Sequence, residues 1–487
     1  MVNGVHSYQP AIDIQWTKIV KYSAGVSKRY AGLSRMNLSP YLGDSGAVTV
    51  TKNIRQDTGS FTFTLTDQVN SRIKDTLYAA LAPMDYIEIR LSREPFRYPQ
   101  RLPIAMRGFI TSVKRTEIMG GDGRPVRAVT VQGQDYGKLL GILQIFYEQN
   151  YFLKQNLLTV FRLSSNFNID YQVYQASDFI RTVLDRIVNP FLKTMWHASA
   201  LASADSNPFQ IEPQTSVTEG TIQPYSIQDY AGNLWGLLKK FSDIYWNELF
   251  IRDDEDAVRL VYRPLPYQDI AGNWIATASD PGSTTITLAD VMEWDVSRSD
   301  VDIANYFWVN APRYVLNSGG MLKVAAYNNE QDYFLENTDK HPHAAANCDP
   351  DLYGIRKMEV NTEQGATESE TSGTNLPKNV LIKENGLEQK WCKQRRDELV
   401  ALNKDNGVFE SGTLILKGNE AIKPGTYLRI DFGTYRTAYY IIGVTHTYVP
   451  LESFKTTVSV IRGTGFIERE KAALSPYFAE RPEPIYG

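Results

Sequence analysis

Residues 411–463 read SGTLILKGNEAIKPGTYLRIDFGTYRTAYYIIGVTHTYVPLESFKTTVSVIRG. Four runs inside this stretch, at 414–416, 427–432, 439–448 and 454–461, are rich in Val, Ile, Leu, Thr, Tyr and Phe and are bounded by Gly, Pro or Asn. β-branched and aromatic residues fit a pleated, half-buried surface, so each run predicts a strand. Leu428, Ile430 and Phe432 fall on one face, and Tyr427, Arg429 and Asp431 on the other. This is the pattern of an antiparallel sheet packed on one side and wetted on the other.

A looser copy lies three hundred residues earlier. Pro83 precedes Tyr86 by three and YIEIRL follows, as Pro424 precedes Tyr427 by three and YLRIDF follows. FITSVKRTE (109–117) then matches YIIGVTHTY (440–448), and VRAVTVQG (126–133) matches FKTTVSVIRG (454–463). Three matches in the same order predict an internal duplication. The fold class that follows is mainly β with α+β insertions: two antiparallel β-barrels related by duplication, with smaller mixed domains between them.

Working outward, 47–50 and 60–65 are further strands of the first copy. Val69, Ile73, Leu77 and Leu81 recur every four residues and predict a helix ending before Pro83. Residues 136–147, 176–188 and 229–246 carry apolar residues at helical spacing, and 198–221, rich in Ser, Ala, Thr, Pro and Gln, predicts an exposed loop. A hairpin is expected from 247–251 and 258–263 around the charged turn RDDEDA. Strands resume at 283–288, 291–298 and 306–310. Residues 316–382 look loop-like, including the low-complexity tract TEQGATESETSGTN, and 387–402 predicts an amphipathic helix. The expected layout is a first barrel with an N-terminal arm over 1–135 and a mixed helical and hairpin domain over 136–290. A discontinuous second barrel follows from 291–315 and 408–465, interrupted by an insertion over 316–407, and 466–487 forms a tail.

Size and composition narrow the function. A chain of 487 residues exceeds one hydrophobic core, so three or four domains are expected. The 29 Tyr, 20 Phe and 8 Trp suit sheets and large interfaces, where a ring packs while its polar edge stays wet. A net charge of −4 provides no basic field for nucleic acid or anionic lipid. Two cysteines, Cys348 and Cys392, make no disulfide framework, which fits a reducing cytosol as the place of synthesis. The N-terminus has no signal-peptide pattern, and no apolar run reaches 18 residues, so no membrane insertion is expected.

There is no GxxxxGK[ST] loop, no GxSxG elbow and no HExxH pair. His341 and His343 with Cys348, Asp349 and Asp351 form the best metal candidate, but their spacing fits no known finger and exposed loop residues of these types are ordinarily solvated. Asp253, Asp254, Glu255 and Asp256 lack the alternate spacing, central Gly and distal Glu of an EF-hand loop and read as a charged hairpin tip. His446 alternates with Val444 and Tyr448 on a strand and reads as a satisfied core histidine. Lys390, Lys393, Arg395 and Arg396 are interleaved with Glu388, Asp397 and Glu398, the pattern of a solvated, ion-paired helix face. No catalytic, cofactor-binding or metal residue is assigned, and no cofactor is expected.

Three passages resemble a known family. NLWGLLKKFSDIYWNELFIRDDEDAVRLVYRPLP (233–266), ITLADVMEWDVSRSDVDIANYFWV (286–309) and the C-terminal AIKPGTYLRIDFG, AYYIIGVTHTY and FKTTVSVIRG are similar, in this order, to passages of the baseplate hub proteins of contractile phage tails, relatives of the base of type VI secretion spike proteins. The resemblance covers about a third of the chain. It implies two barrels of the tail-tube type and a homotrimer whose six barrels adapt a hexameric tail tube to a trimeric central spike. It further implies contacts with tube or tube-initiator, spike and baseplate wedge proteins, and a lumen through which double-stranded DNA passes without specific binding. The location implied is the virion tail baseplate, after synthesis in the host cytoplasm. Two other readings compete: a tail-associated peptidoglycan hydrolase with its site in 136–290, and a distal-tail or receptor-binding module using aromatics on carbohydrate.

Overall fold

The computed structural model describes residues 9–19, 35–43, 46–70, 75–119, 123, 125–145, 174–198, 210–222, 232–275, 279–310, 347–365, 378–431, 436–465 and 467–468. Ten strands carry the architecture: β1 (Val48–Asn53), β2 (Ser60–Thr66), β3 (Tyr86–Ser92), β4 (Ile104–Met119), β5 (Pro125–Asp135), β6 (Val291–Ser297), β7 (Glu410–Lys417), β8 (Tyr427–Asp431), β9 (Arg436–Val449) and β10 (Ser453–Gly463). In space the first five run β1-β2-β5-β4-β3 and the second five β6-β7-β10-β9-β8. The order is the same, so the protein is a duplicated, mainly antiparallel β structure.

The ladders show the duplication residue by residue. Tyr86 faces Phe109 and Tyr427 faces Tyr440, and both ring pairs meet edge to face, with centroids 5.8 and 5.3 Å apart. β4 shifts register against β5 between Ile110 and Ser112, and β9 shifts against β10 between Ile441 and Gly443, the same place in the repeat. Ile110 faces Gly133 where Ile441 faces Val460, so the last strands correspond through Gly133 and Val460. Side-chain volume is exchanged at that point. In the first copy Phe61 covers Gly133, whereas in the second Gly412 faces Val460. A Cβ on Gly133 would lie 2.1 Å from the Phe61 ring.

Each copy has its own core. Phe61, Phe63, Leu65, Ile87, Ile89, Val129 and Val131 anchor the first, and Leu414, Leu416, Leu428, Ile430, Val458 and Val460 the second. Strand 11–17 extends the first sheet beyond β3, and Ser283–Thr287 extends the second by pairing in parallel with β8. Between the copies a third core gathers Phe179, Leu237, Leu238, Phe241 and Leu260 from the helices 176–183 and 234–241 and the hairpin Asn247–Asp253/Val258–Pro264.

Several local expectations are corrected. The period-four stripe from Val69 to Leu81 is not one helix. Val69–Asn70 pairs with Asp75–Thr76, Ile73 lies outside the described residues, and among those described only Leu77–Ala80 is helical, capped by the Thr76 hydroxyl, which accepts from Ala79 N at 3.4 Å. The Thr76 cap starts the helix two turns before Pro83, and Leu81, extended, ends it. Ile211–Thr215 is a strand parallel to Val258–Pro264 with Ile211 buried, not part of a loop. Tyr306–Asn310 pairs with Lys357–Asn361 rather than with the C-terminal sheet. The helix expected over 387–402 runs from Lys378 to Asn403. Arg395 and Arg396 on it are buried, not solvated: the Arg395 guanidinium lies 4.2 Å from the Trp391 ring centroid and bonds Glu398 at 2.9 Å.

Candidate functional site: the joint between the two sheets

The two copies are fused along one pair of strands. β9 is long enough to do two things: residues 436–440 pair with β8, and residues 443–448 pair antiparallel with β1. The result is a single 13-stranded sheet. From Val444 on, where β1 covers it, β9 alternates, with Val444, His446 and Tyr448 buried and Thr445 and Thr447 half-buried. Thr51 and Thr445 face each other and their hydroxyls lie 3.0 Å apart. His446 faces Val50, and its Nδ1 lies 3.1 Å from Thr456 Oγ1. Burial, aided by the nearby Lys423 ammonium, pushes its pKa down to about 4, so the ring is neutral at pH 7. The expected satisfied core histidine is therefore found in the joint itself.

Beside this seam lies an ionic knot. Lys52, at the end of β1, pairs with Asp253 and also with Asp135 at 3.4 Å, and all three side chains are nearly enclosed. Burial opposes the ammonium, but the two carboxylates outweigh it and raise Lys52 above its ordinary value. Asp135 is raised by burial despite Lys52.

Asp253 comes from the acidic hairpin, which is not merely a charged tip in solvent. Towards the first copy, Glu255 accepts from Arg90 Nη1 at 2.8 Å and from the Ile104 amide, while Arg107 donates to the carbonyls of Asp254 and Glu255. Towards the second, Lys423 Nζ donates to the Asp253 carbonyl at 3.2 Å, Arg263 donates to Gly425 O, and Tyr440 Oη donates to Glu248 Oε2. The hairpin is thus a strut that holds both copies at fixed orientation. The strand pattern of 247–263 foretold the hairpin. What it docks on is tertiary, and only the excess of Arg in 90–107 hinted at acidic partners.

The other singled-out residues are dispersed. His341 and His343 lie outside the described residues. Cys348 and Cys392 are buried, and burial with Asp405 and Asp349 pushes the Cys348 thiol up to about 11, so it stays protonated. Asp349 caps Pro350–Tyr353 by accepting from Asp351 N at 2.9 Å. Burial raises Asp243 to about 6 against the pull of Arg395, but this carboxylate is sealed inside and bonds Thr362 and the Glu363 amide, a structural arrangement. An open depression of about 440 Å³ beside Lys390, Lys393, Asp397 and Glu398 contains none of these groups. Among the described residues no group of three or more His, Cys, Asp or Glu converges as a metal site would require, and no helix is long and apolar enough to cross a membrane.

The chain folds one antiparallel sheet twice and joins the copies edge to edge through β1 and β9. Its structure is similar to those of phage tail proteins. These include the tail protein from Neisseria meningitidis MC58, with 10% identity, 93% of this chain and 97% of that chain covered and a TM-score of 0.44. The 43 kDa tail protein of prophage MuSo2 from Shewanella oneidensis gives 10% identity, 94% and 97% coverage and a TM-score of 0.44. A chain of the Francisella PdpA-VgrG complex gives 9% identity, 95% of this chain against 54% of that chain, and a TM-score of 0.43. No protein-family model and no curated protein matches the chain.

Proposed function

We propose that the protein is a structural subunit of a contractile-tail baseplate hub, in which three copies close into a ring of six barrel-type sheets. The observation that supports this most directly is the β1–β9 joint. The chain already contains two equivalent units joined edge to edge, which is what a ring of repeating units requires of each contact. Three chains of two units present six-fold repetition on one side while remaining three-fold, so the ring can match a hexameric tube to a trimeric spike. Wedge proteins would attach at its periphery. Double-stranded DNA would pass through the lumen without being held, since a net charge of −4 provides no general attraction for phosphate. The role is mechanical, with the strut fixing the angle between units and no reaction performed.

The test is the mass and symmetry of the purified full chain at assembly concentrations, by light scattering and negative-stain imaging. A ring of three chains with pseudo-six-fold appearance is expected. A protein that stays monomeric throughout, or clears peptidoglycan in a zymogram, would overturn the reading.

A further inference from the structure

Equivalence between the copies makes two strand edges conspicuous. Within the chain, β1 lies on the outer half of β9. Among the described residues no strand lies on the equivalent half of β4, residues 112–119, which pairs only with β5. Nor does any lie along the second edge of β6, the counterpart of β1, which pairs only with β7. We propose that β6 of one chain adds antiparallel to the outer half of β4 in a second copy of the same chain, repeating between chains the joint that β1 and β9 make within each. This rests on the ring reading above and names the contact that closes it.

The register follows from the ladders. Val48 faces Phe63 and Trp294 faces Leu414, at equivalent positions of β2 and β7, so Thr49 corresponds to Asp295 and Thr51 to Ser297. The shared register shift aligns Gly443 with Ser112, hence Thr445 with Lys114 and Thr447 with Thr116. The observed pairs Thr51–Thr445 and Thr49–Thr447 therefore translate into Ser297–Lys114 and Asp295–Thr116 between chains.

Three observations favour a second copy as the occupant. The edges are complementary in charge on one face: β6 carries Glu293 and Asp295 and β4 carries Lys114, with Asp295 diagonal to Lys114 in this register. Exposure differs where a partner is missing. Val444, His446 and Tyr448 of β9 are buried, whereas their counterparts Val113, Arg115 and Glu117 are half-buried or exposed. Apolar side chains also wait at the end of the register, with Met292 53%, Ile118 63% and Met119 70% exposed. A long open edge with such residues is a template for strand addition. Because donor and acceptor edges differ, the contact is head-to-tail and propagates into a closed ring.

Facing residues of an antiparallel pair have Cα atoms roughly 4.5–5.5 Å apart, within the range a disulfide spans. The full chain carrying Thr116→Cys and Asp295→Cys should therefore, on mild oxidation, give covalent dimers and trimers at least tenfold above either single variant. The same excess is expected over the pair Arg115→Cys/Asp295→Cys, whose side chains point to opposite faces. Multimeric particles by light scattering with no excess over that pair would overturn this contact and leave the ring reading standing. A chain monomeric at every concentration, with no crosslinks, would overturn both.

Discussion

The β1–β9 joint and the edges of β6 and β4 are the same piece of architecture in two chemical states. Inside the chain one face of the seam is apolar or uncharged, with buried Val50, Val444 and Tyr448 and a neutral His446, and a half-buried threonine pair lies on the other. Its charges are drawn aside into the enclosed Lys52–Asp135–Asp253 knot. At the counterpart edges Glu293, Asp295, Lys114 and Arg115 occupy the strands themselves. A joint formed once during folding can enclose its charge, as Lys52 is enclosed by Asp135 and Asp253. In the proposed ring the open edges must stay soluble before assembly, and charge on them would discourage indiscriminate strand addition until a matching edge arrives. On that reading the difference separates what folding must hold from what assembly would make.

The largest effect is expected where the internal seam is ionic. Lys52→Met leaves Asp135 and Asp253 enclosed without their cation, a change of about 3–5 kcal/mol. The Asp135 carboxyl, already raised by burial, loses the lowering pull of Lys52 and rises further, so the loss is full at neutral pH and shrinks as pH falls through that raised value. Thermal melts of wild type and variant from pH 7.5 to 4.5 should converge. A constant difference would mean the knot is not what ties the copies together.

The exchange of Phe61 over Gly133 for Gly412 opposite Val460 provides a second handle. Gly133→Val overpacks against Phe61 and should cost about 1–3 kcal/mol. Combining it with Phe61→Gly rebuilds the second copy's solution inside the first, so the double variant should be more stable than the sum of the two single losses. Additive melts would show that the copies, alike in topology, pack by unrelated rules at this point.

Third in size is the response of His446 to acid. Its folded pKa of about 4 lies below the ordinary value near 6.5, so the unfolded chain binds the extra proton and stability falls as pH drops from 6.5 towards 4. Near pH 5 the contribution is roughly 1–2 kcal/mol. His446→Gln, measured by denaturant titration at pH 5 and pH 7, should lose less on acidification than the wild type. An equal loss in both would place the acid sensitivity elsewhere, with the carboxylates of the strut as the next candidates.

How much of this was legible depends on what each feature is made of. The strands β3, β4, β8 and β9 could be read because alternation and turn residues are local, and their correspondence runs residue by residue from Tyr86/Tyr427 to Glu117/Tyr448. The pairing of β1 with β9 could not: ladder bonds are backbone, and VTVTKN carries no mark of the strand it will meet. VTVTKN and VMEWDVS share almost no residues and are recognised as equivalents only through their ladders with β2 and β7. The strut was visible as a hairpin but not as a strut, because a run of carboxylates looks solvated until Arg90 and Arg107 are placed beside it. The stripe at Val69, Ile73, Leu77 and Leu81 misled because periodicity competes with capping, and Thr76 starts its helix only at Leu77.

The smallest predicted effect bears on the open edges. In the transferred register Asp295 lies diagonal to Lys114 of the neighbouring chain, an exposed cross-strand pair worth about 0.2–1 kcal/mol. Asp295→Lys replaces attraction with repulsion and should weaken chain–chain association several-fold, while leaving the melting temperature of the dilute chain unchanged because the residue has no role in the internal joint. Combining it with Lys114→Asp restores the opposite pairing and should recover the association, more fully at low than at high salt, since screening removes exposed charge effects. Sedimentation of the four proteins at two ionic strengths makes the comparison. Recovery in the charge-swapped pair ties β6 to β4 across chains, and its absence, with Asp295→Lys weakening assembly alone, would assign Asp295 to a different partner surface.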